Sequence, residues 1–158
     1  MSLYFEDVRI GDVSTLGAHT FTREGIIAFA VLYDPQPFHL SEEGGKASMY
    51  GSLIASGWHT ASICMRLFID ARERARAARA ALGEPLPTPG VSPGFRDMRW
   101  PAPVRPGDTV AYSSRVETAR ETKRPQWGLV SSRNVGLNQH GAEVFAFTSL
   151  VLWERRPG

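Results

Sequence analysis

With one cysteine, Cys64, in 158 residues, the chain can form neither an internal disulfide nor a multi-thiolate metal site. No apolar stretch approaches the roughly 20 residues that a membrane span needs. The opening "MSLYFEDVRIGD" has acids where a signal peptide would carry a basic region. A cytoplasmic protein with no membrane partner is therefore expected. An excess of charge of one sign is missing too, since 18 Lys and Arg stand against 16 Asp and Glu. No basic run is interleaved with stacking aromatics and no DNA-reading motif occurs, which argues against a nucleic-acid partner. Repeats and low-complexity linkers are also lacking. The length suits one domain over 1–158, large enough to bury a core without staples.

What is present divides into two unlike halves around the Pro/Gly-rich "GEPLPTPGVSPG", residues 83 to 94. In the first half, "DVSTLGAHTFT" has the β-branched content of a strand ending at Thr22. That threonine can cap a helix over 23–33, in which Ile26, Ile27, Phe29, Ala30 and Tyr33 recur at helical spacing. Pro35 and Pro37 forbid its continuation. Ser41 can cap a short helix, "EEGGKASM", weakened by its glycines. The longest helix should run from Gly57 to about Ala80. Ile63, Leu67, Cys64 and Phe68 would face a core, and the arginines at 72, 74, 76 and 79 would form a solvated end. The second half reads as strands, "FRDMRW", "DTVAYSSRVETA", "WGLVSSRNVGLN" and "AEVFAFTSLVLWE", with "PAPVRPGD" joining the first two and "NQHG" as a hairpin turn. The predicted fold is α+β: a single hotdog fold, in which an antiparallel meander forms a curved sheet wrapped around a long central helix.

Two short stretches carry chemistry. In "DPQPFHL", 34–40, Asp34 and His39 lie in a loop stiffened by Pro35 and Pro37, so their side chains can be held with little entropy left to lose. A histidine exchanges protons near neutral pH, and an adjacent carboxylate can stabilise the imidazolium or share a bound water with it. A turn-forming Asp and a hydrogen-bonded structural His are the simpler reading of the same residues. In "LIASGWHT", 53–60, Ser56 and Gly57 open the long helix. Free N–H groups at such an end favour negative charge, and the missing side chain of Gly57 lets a ligand approach. Here the simpler alternative is an N-cap serine and a packing glycine. Phe38, Met49, Tyr50 and Trp58 flank the proposed site and are candidate walls of an acyl pocket. If Trp58 fills that pocket, short or branched chains are expected. The 83–94 stretch is a candidate cover for its entrance. Asp34, His39 and His59 lack the paired spacing of the usual zinc sites, so no metal is expected.

Together, "YDPQPFHLSEEGGKAS", "SLIASGWHTASICM" and "RWPAPVRPGDTV" resemble the MaoC-like dehydratase family, which includes (R)-specific enoyl-CoA hydratases. The resemblance extends from Phe5 through the last strand. It implies reversible hydration of an enoyl thioester, carried by CoA or an acyl-carrier protein, with no cofactor beyond the CoA of the substrate. It further implies that Asp34 and His39 activate water, that Gly57 supplies an oxyanion N–H with Ser56 beside it, and that the chain forms a homodimer or dimer-based assembly. A reason for dimerisation is independent of the family: an exposed edge strand is buried by pairing with a second copy. Two positions depart from the family pattern, Gln36 where Asn is typical and Ser56 where His is common. A hotdog acyl-CoA thioesterase and a non-catalytic acyl-binding subunit are the alternative readings.

Overall fold

A computed structural model describes residues 4–157; residues 1–3 and 158 of the expected domain lie outside the described residues. A short 3-10 turn leads into strand β1, Val13–Thr20, and helix α1, Arg23–Tyr33. Thr22 caps α1 by accepting from the Gly25 N–H at 3.1 Å. Two brief helices follow, α2 at Pro37–Leu40 and α3 at Glu42–Lys46, the latter capped by the Ser41 hydroxyl. Where a stiff loop is expected around His39, the chain forms a single helical turn with Pro37 at its first position, where the missing N–H costs nothing. Helix α4, Gly57–Ala81, precedes strands β2 (Gly94–Arg99), β3 (Thr109–Glu121), β4 (Trp127–Leu137) and β5 (Glu143–Glu154). Among the described residues, no helix is long and apolar enough to cross a membrane.

The five strands form one antiparallel sheet in the order β1-β3-β4-β5-β2, with α4 packed against its concave side, the hotdog arrangement. The core joins Leu16, Phe21, Ile26, Leu53, Cys64, Tyr112 and Phe145, with Ile63, Leu67 and Phe68 partly buried against it. Burial pushes the Cys64 thiol up to about 12, which makes it a packed, inert group. Tyr112 ties sheet to helix by donating from its hydroxyl to the Thr60 carbonyl at 3.1 Å. Gly17, at φ +138°, interrupts the β1 register, and a Cβ there would sit 3.2 Å from Leu67 Cδ2, so the glycine lets α4 seat closely on β1.

Two expectations require correction. Only β3, β4 and β5 form the meander; β2 pairs with β5 at the opposite edge from β1. Its connection to β3 therefore crosses the end of the sheet, a course that suits a segment stiffened by Pro101, Pro103 and Pro106 better than a tight hairpin would. The arginine-rich end of α4 is docked rather than simply solvated. Arg74 donates to the Leu16 carbonyl, Arg76 donates to the Pro87 carbonyl at 2.7 Å, and Arg79 pairs with Asp7 and Glu84. The tail that looked polar enough for water is held by carbonyls and carboxylates from distant segments.

Candidate active site

α1 ends where Pro35 begins to redirect the chain, leaving Asp34 as its C-cap, and the α2 turn brings His39 back towards it. His39 Nε2 lies 3.4 Å from Asp34 Oδ2. The other ring nitrogen, Nδ1, is 2.8 Å from the Ile54 carbonyl. A carbonyl only accepts, so Nδ1 carries a proton, and Nε2 is the ring nitrogen turned towards Asp34.

Asp34 is held from two sides. The Ser56 hydroxyl donates to Oδ2 at 2.6 Å, and the Gln36 side-chain amide donates to Oδ1 at 2.9 Å. Burial pushes the Asp34 carboxyl up, but the hydrogen bonds from Ser56 and Gln36, with the charge of His39, outweigh it and hold the group below its ordinary value. Both residues that depart from the family pattern thus act on the same carboxylate.

The dyad opens into a pocket of about 360 Å³ whose walls include Gly57, Thr60, Trp100 and Val104. The Gly57 N–H has no hydrogen-bond partner among the described residues, as a first-turn amide of α4 should not. The space beside its Cα is taken by an indole: a Cβ on Gly57 would be 2.8 Å from Trp100 Cε2. Trp100 Nε1 donates to the Gly57 carbonyl at 2.8 Å and to Thr60 Oγ1 at 3.0 Å.

The other candidates are distributed unevenly. Phe38, Tyr50 and Trp58 line the pocket, but Trp58 is 55% exposed and meets Trp100 edge to face at the rim, so it does not fill the interior. Met49 is 92% exposed and is not a wall; it is corrected to a surface residue of the turn after α3. Ser56 is 1% exposed and is not among the lining residues, so its contact is with Asp34 and with the Trp58 N–H it caps, rather than with a ligand. The 83–94 stretch runs along β5, where Thr88 N–H donates to Glu154 and Leu152 N–H to the Val91 carbonyl, so it does not cover this entrance. His59 turns into the core and stacks on Phe29 at 4.6 Å, away from Asp34 and His39. Among the described residues, no three His, Cys, Asp or Glu side chains gather as metal ligands.

The sequence reading missed Trp100, Thr60 and the Ile54 carbonyl. Trp100 was legible only as the end of a strand, because its role depends on the crossing course of the 100–108 segment. A backbone carbonyl leaves no mark in a sequence.

The sequence profile of the MaoC-like domain family matches residues 10–135. The chain belongs to that family. It is 34% identical over 114 residues to an (R)-specific enoyl-CoA hydratase of Rhodospirillum rubrum, covering 72% of this chain and 69% of the relative. It is 32% identical over 132 residues to a 3-hydroxybutyryl-CoA dehydratase of Methylorubrum extorquens, covering 82% and 74%. The crystal structure of a MaoC-like dehydratase from Rhodospirillum rubrum superposes with a TM-score of 0.82 at 36% identity, covering 99% of this chain and 100% of that one.

Proposed function

We propose that this MaoC-like protein reversibly hydrates a trans-2-enoyl thioester carried by CoA, using Asp34 and His39 on one shared water and the Gly57 N–H as oxyanion donor. By family it is a hydro-lyase of the enoyl-CoA hydratase and dehydratase kind. The observation that carries the finer reading is the 3.4 Å approach of His39 Nε2 to Asp34 Oδ2 at the wall of a pocket that Gly57 also lines.

The chemistry follows from proton inventory. With Nδ1 engaged by Ile54, Nε2 is the free basic site of the imidazole. The carboxylate, held ionised by Ser56 and Gln36, is a weak base but a strong hydrogen-bond acceptor. A water between them donates one hydrogen to each. The thioester carbonyl, accepting from the Gly57 N–H, draws electrons from the β-carbon. The water oxygen attacks there while Nε2 takes its proton. The enolate-like oxygen that develops is stabilised by a donor that need not reorganise. The imidazolium lies against the Asp34 carboxylate, and the dyad returns one proton to the α-carbon on the same face. Atoms balance as the addition of one water, and dehydration is the reverse.

The protein is further proposed to act as a homodimer, with edge strand β2 as the pairing edge: Phe95 on it is exposed and nothing in the described chain covers its outer side. The test of activity is hydration of crotonyl-CoA, read as loss of enoyl absorbance without release of free thiol. Asp34→Asn and His39→Ala should each lower kcat/KM by about 10²–10⁴, the usual worth of a positioned proton transfer. Either variant turning over at the parent rate would overturn the assignment.

A further inference from the structure

The mouth of the catalytic pocket carries a cation without a counter-charge. Tyr50, a wall of that pocket and 38% exposed, belongs to the turn after α3. Arg105, at the end of the proline-stiffened 100–105 segment, reaches back to the same turn. Its Nε donates to the Ser52 hydroxyl at 3.0 Å, and its Nη2 donates a longer bond, 3.4 Å, to the Tyr50 carbonyl. The backbone beside it is pinned as well, since the Ala55 N–H donates to the Val104 carbonyl at 2.8 Å and both residues line the pocket. An exposed arginine ordinarily samples many rotamers, and these contacts hold this one in place. Among the described residues Arg105 forms no ion pair. Asp108, the acid closest to it along the chain, accepts from the Arg105 backbone N–H at 2.7 Å and from the Gln139 side-chain amide at 2.7 Å. A second cation stands nearby. A Cβ on Gly45 would run into the Ser52 and Leu53 backbone, so the end of α3 lies directly against the stretch that holds Arg105, and the adjoining Lys46 is exposed and likewise without an ion pair.

A guanidinium has five N–H donors in a planar fork that fits a phosphate; two are used here, and three remain for an anion. Position decides which anion. Gly57 lies five positions from Ser52, so the two are at most about 18 Å apart. An acyl group whose thioester carbonyl meets the Gly57 N–H must leave the pocket through its mouth on a pantetheine arm. Extended, that arm covers a comparable length, and it ends in a phosphate whether it belongs to CoA or to a carrier protein. We infer that Arg105 binds the phosphate at the end of the phosphopantetheine arm, holding the carrier end of the substrate while Asp34 and His39 act on its acyl end.

The inference rests on the hydratase reading above and adds the group by which the carrier is recognised. The test compares crotonyl thioesters of pantetheine, phosphopantetheine, CoA and an acyl-carrier protein in the parent, in Arg105→Gln and in Arg105→Lys. The pantetheine thioester lacks the phosphate and reports on fold and chemistry. In the parent, the phosphopantetheine thioester should have a KM about tenfold below that of the pantetheine thioester at a similar kcat, the usual worth of a charge-assisted hydrogen bond discounted for exposure to solvent. Arg105→Gln should abolish that difference by raising KM for the phosphate-bearing thioester alone. Arg105→Lys, which keeps the charge and loses the fork, should restore part of it. The parent's KM for the phosphate-bearing thioester should also rise with salt more steeply than that of Arg105→Gln. Of CoA and the carrier protein, the thioester whose KM rises in Arg105→Gln names the carrier that this site serves; a rise with neither overturns the inference. So does a parent that handles the pantetheine and phosphopantetheine thioesters alike, or an Arg105→Gln that raises both KM values by the same factor, which would make Arg105 a brace of the 50–52 turn. Should the parent hydrate none of these thioesters, the hydratase reading fails by itself. The phosphate site is then read by calorimetry, where the parent must bind phosphopantetheine more tightly than pantetheine and Arg105→Gln must lose that preference; equal binding by the parent overturns the site.

Discussion

Replacing Ser56 by Ala removes one hydroxyl with two duties. It donates to Asp34 Oδ2 at 2.6 Å and accepts from the Trp58 N–H at 3.2 Å as the cap of α4. A hydrogen bond to a charged group contributes about 1.5–3 kcal/mol and an N-cap about 1 kcal/mol, so the folded state should lose about 2–4 kcal/mol. If the whole of the first contribution is felt in the transition state, kcat/KM for crotonyl-CoA falls by about 10- to 100-fold. Stability alone cannot separate the two duties, but the pH profile can. Ser56 is one of the groups holding the Asp34 carboxyl below its ordinary value, so its removal raises that pKa. Activity that requires the ionised carboxylate is lost as pH falls through it, and the acid limb of kcat/KM should therefore begin at a higher pH in Ser56→Ala. Ser56→Thr keeps the hydroxyl and should restore the limb. A Ser56→Ala enzyme that melts earlier but keeps the parent kcat/KM and the parent acid limb would refute the reasoning, leaving Ser56 as a cap and nothing more.

Two further predictions concern the helix that carries Gly57. Gly57→Ala should destabilise by about 1–3 kcal/mol in urea, because its Cβ meets an indole pinned by two acceptors; the penalty should shrink when Trp100→Ala is combined with it, and simple additivity would contradict the clash. His59, stacked on Phe29 with no partner for its Nδ1 among the described residues, has its pKa lowered from the ordinary 6.5 to about 4 by burial, with the nearby His19 adding to the effect. The unfolded chain thus binds this proton first, so stability is whole above pH 6.5 and declines as pH falls towards 4, by about 3 kcal/mol at most. Urea melts across that range should show His59→Phe flattening the decline, and an unchanged slope would exclude His59 as its source.

The fold was legible in the sequence where one local signal decides one local outcome. Thr22 and Ser41 were recognisable as caps because a side-chain oxygen ahead of a periodic run has few other uses, and both accept the expected N–H groups. Helix α4 declared its start through Ser56-Gly57, and β3, β4 and β5 through alternation. Pairing order was not legible. "FRDMRW" and "DTVAYSSRVETA" look like neighbours on the chain, yet β2 finds its partner in β5, a choice made by which edge the crossing prolines can reach. Nor could hydropathy reveal that Arg74 and Arg76 would find buried carbonyls, since an arginine reads as solvated until its partner is known.

The same distinction explains the site. Asp34 and His39 stand five positions apart, and the two prolines between or beside them leave the backbone few ways to separate them, so their meeting was foreseeable from local stereochemistry. The residues that tune them come from farther away: Ile54 fixes the histidine tautomer across 15 positions, Ser56 holds the carboxylate across 22, and Trp100 closes on Gly57 across 43. None of these contacts has a sequence spacing of its own. Ser56 and Gln36 stood out only as departures from a family pattern, and the structure gives them one physical sense: both donate to Asp34. The local pair was therefore legible from two short stretches, whereas the groups that hold it became visible only once the chain was folded.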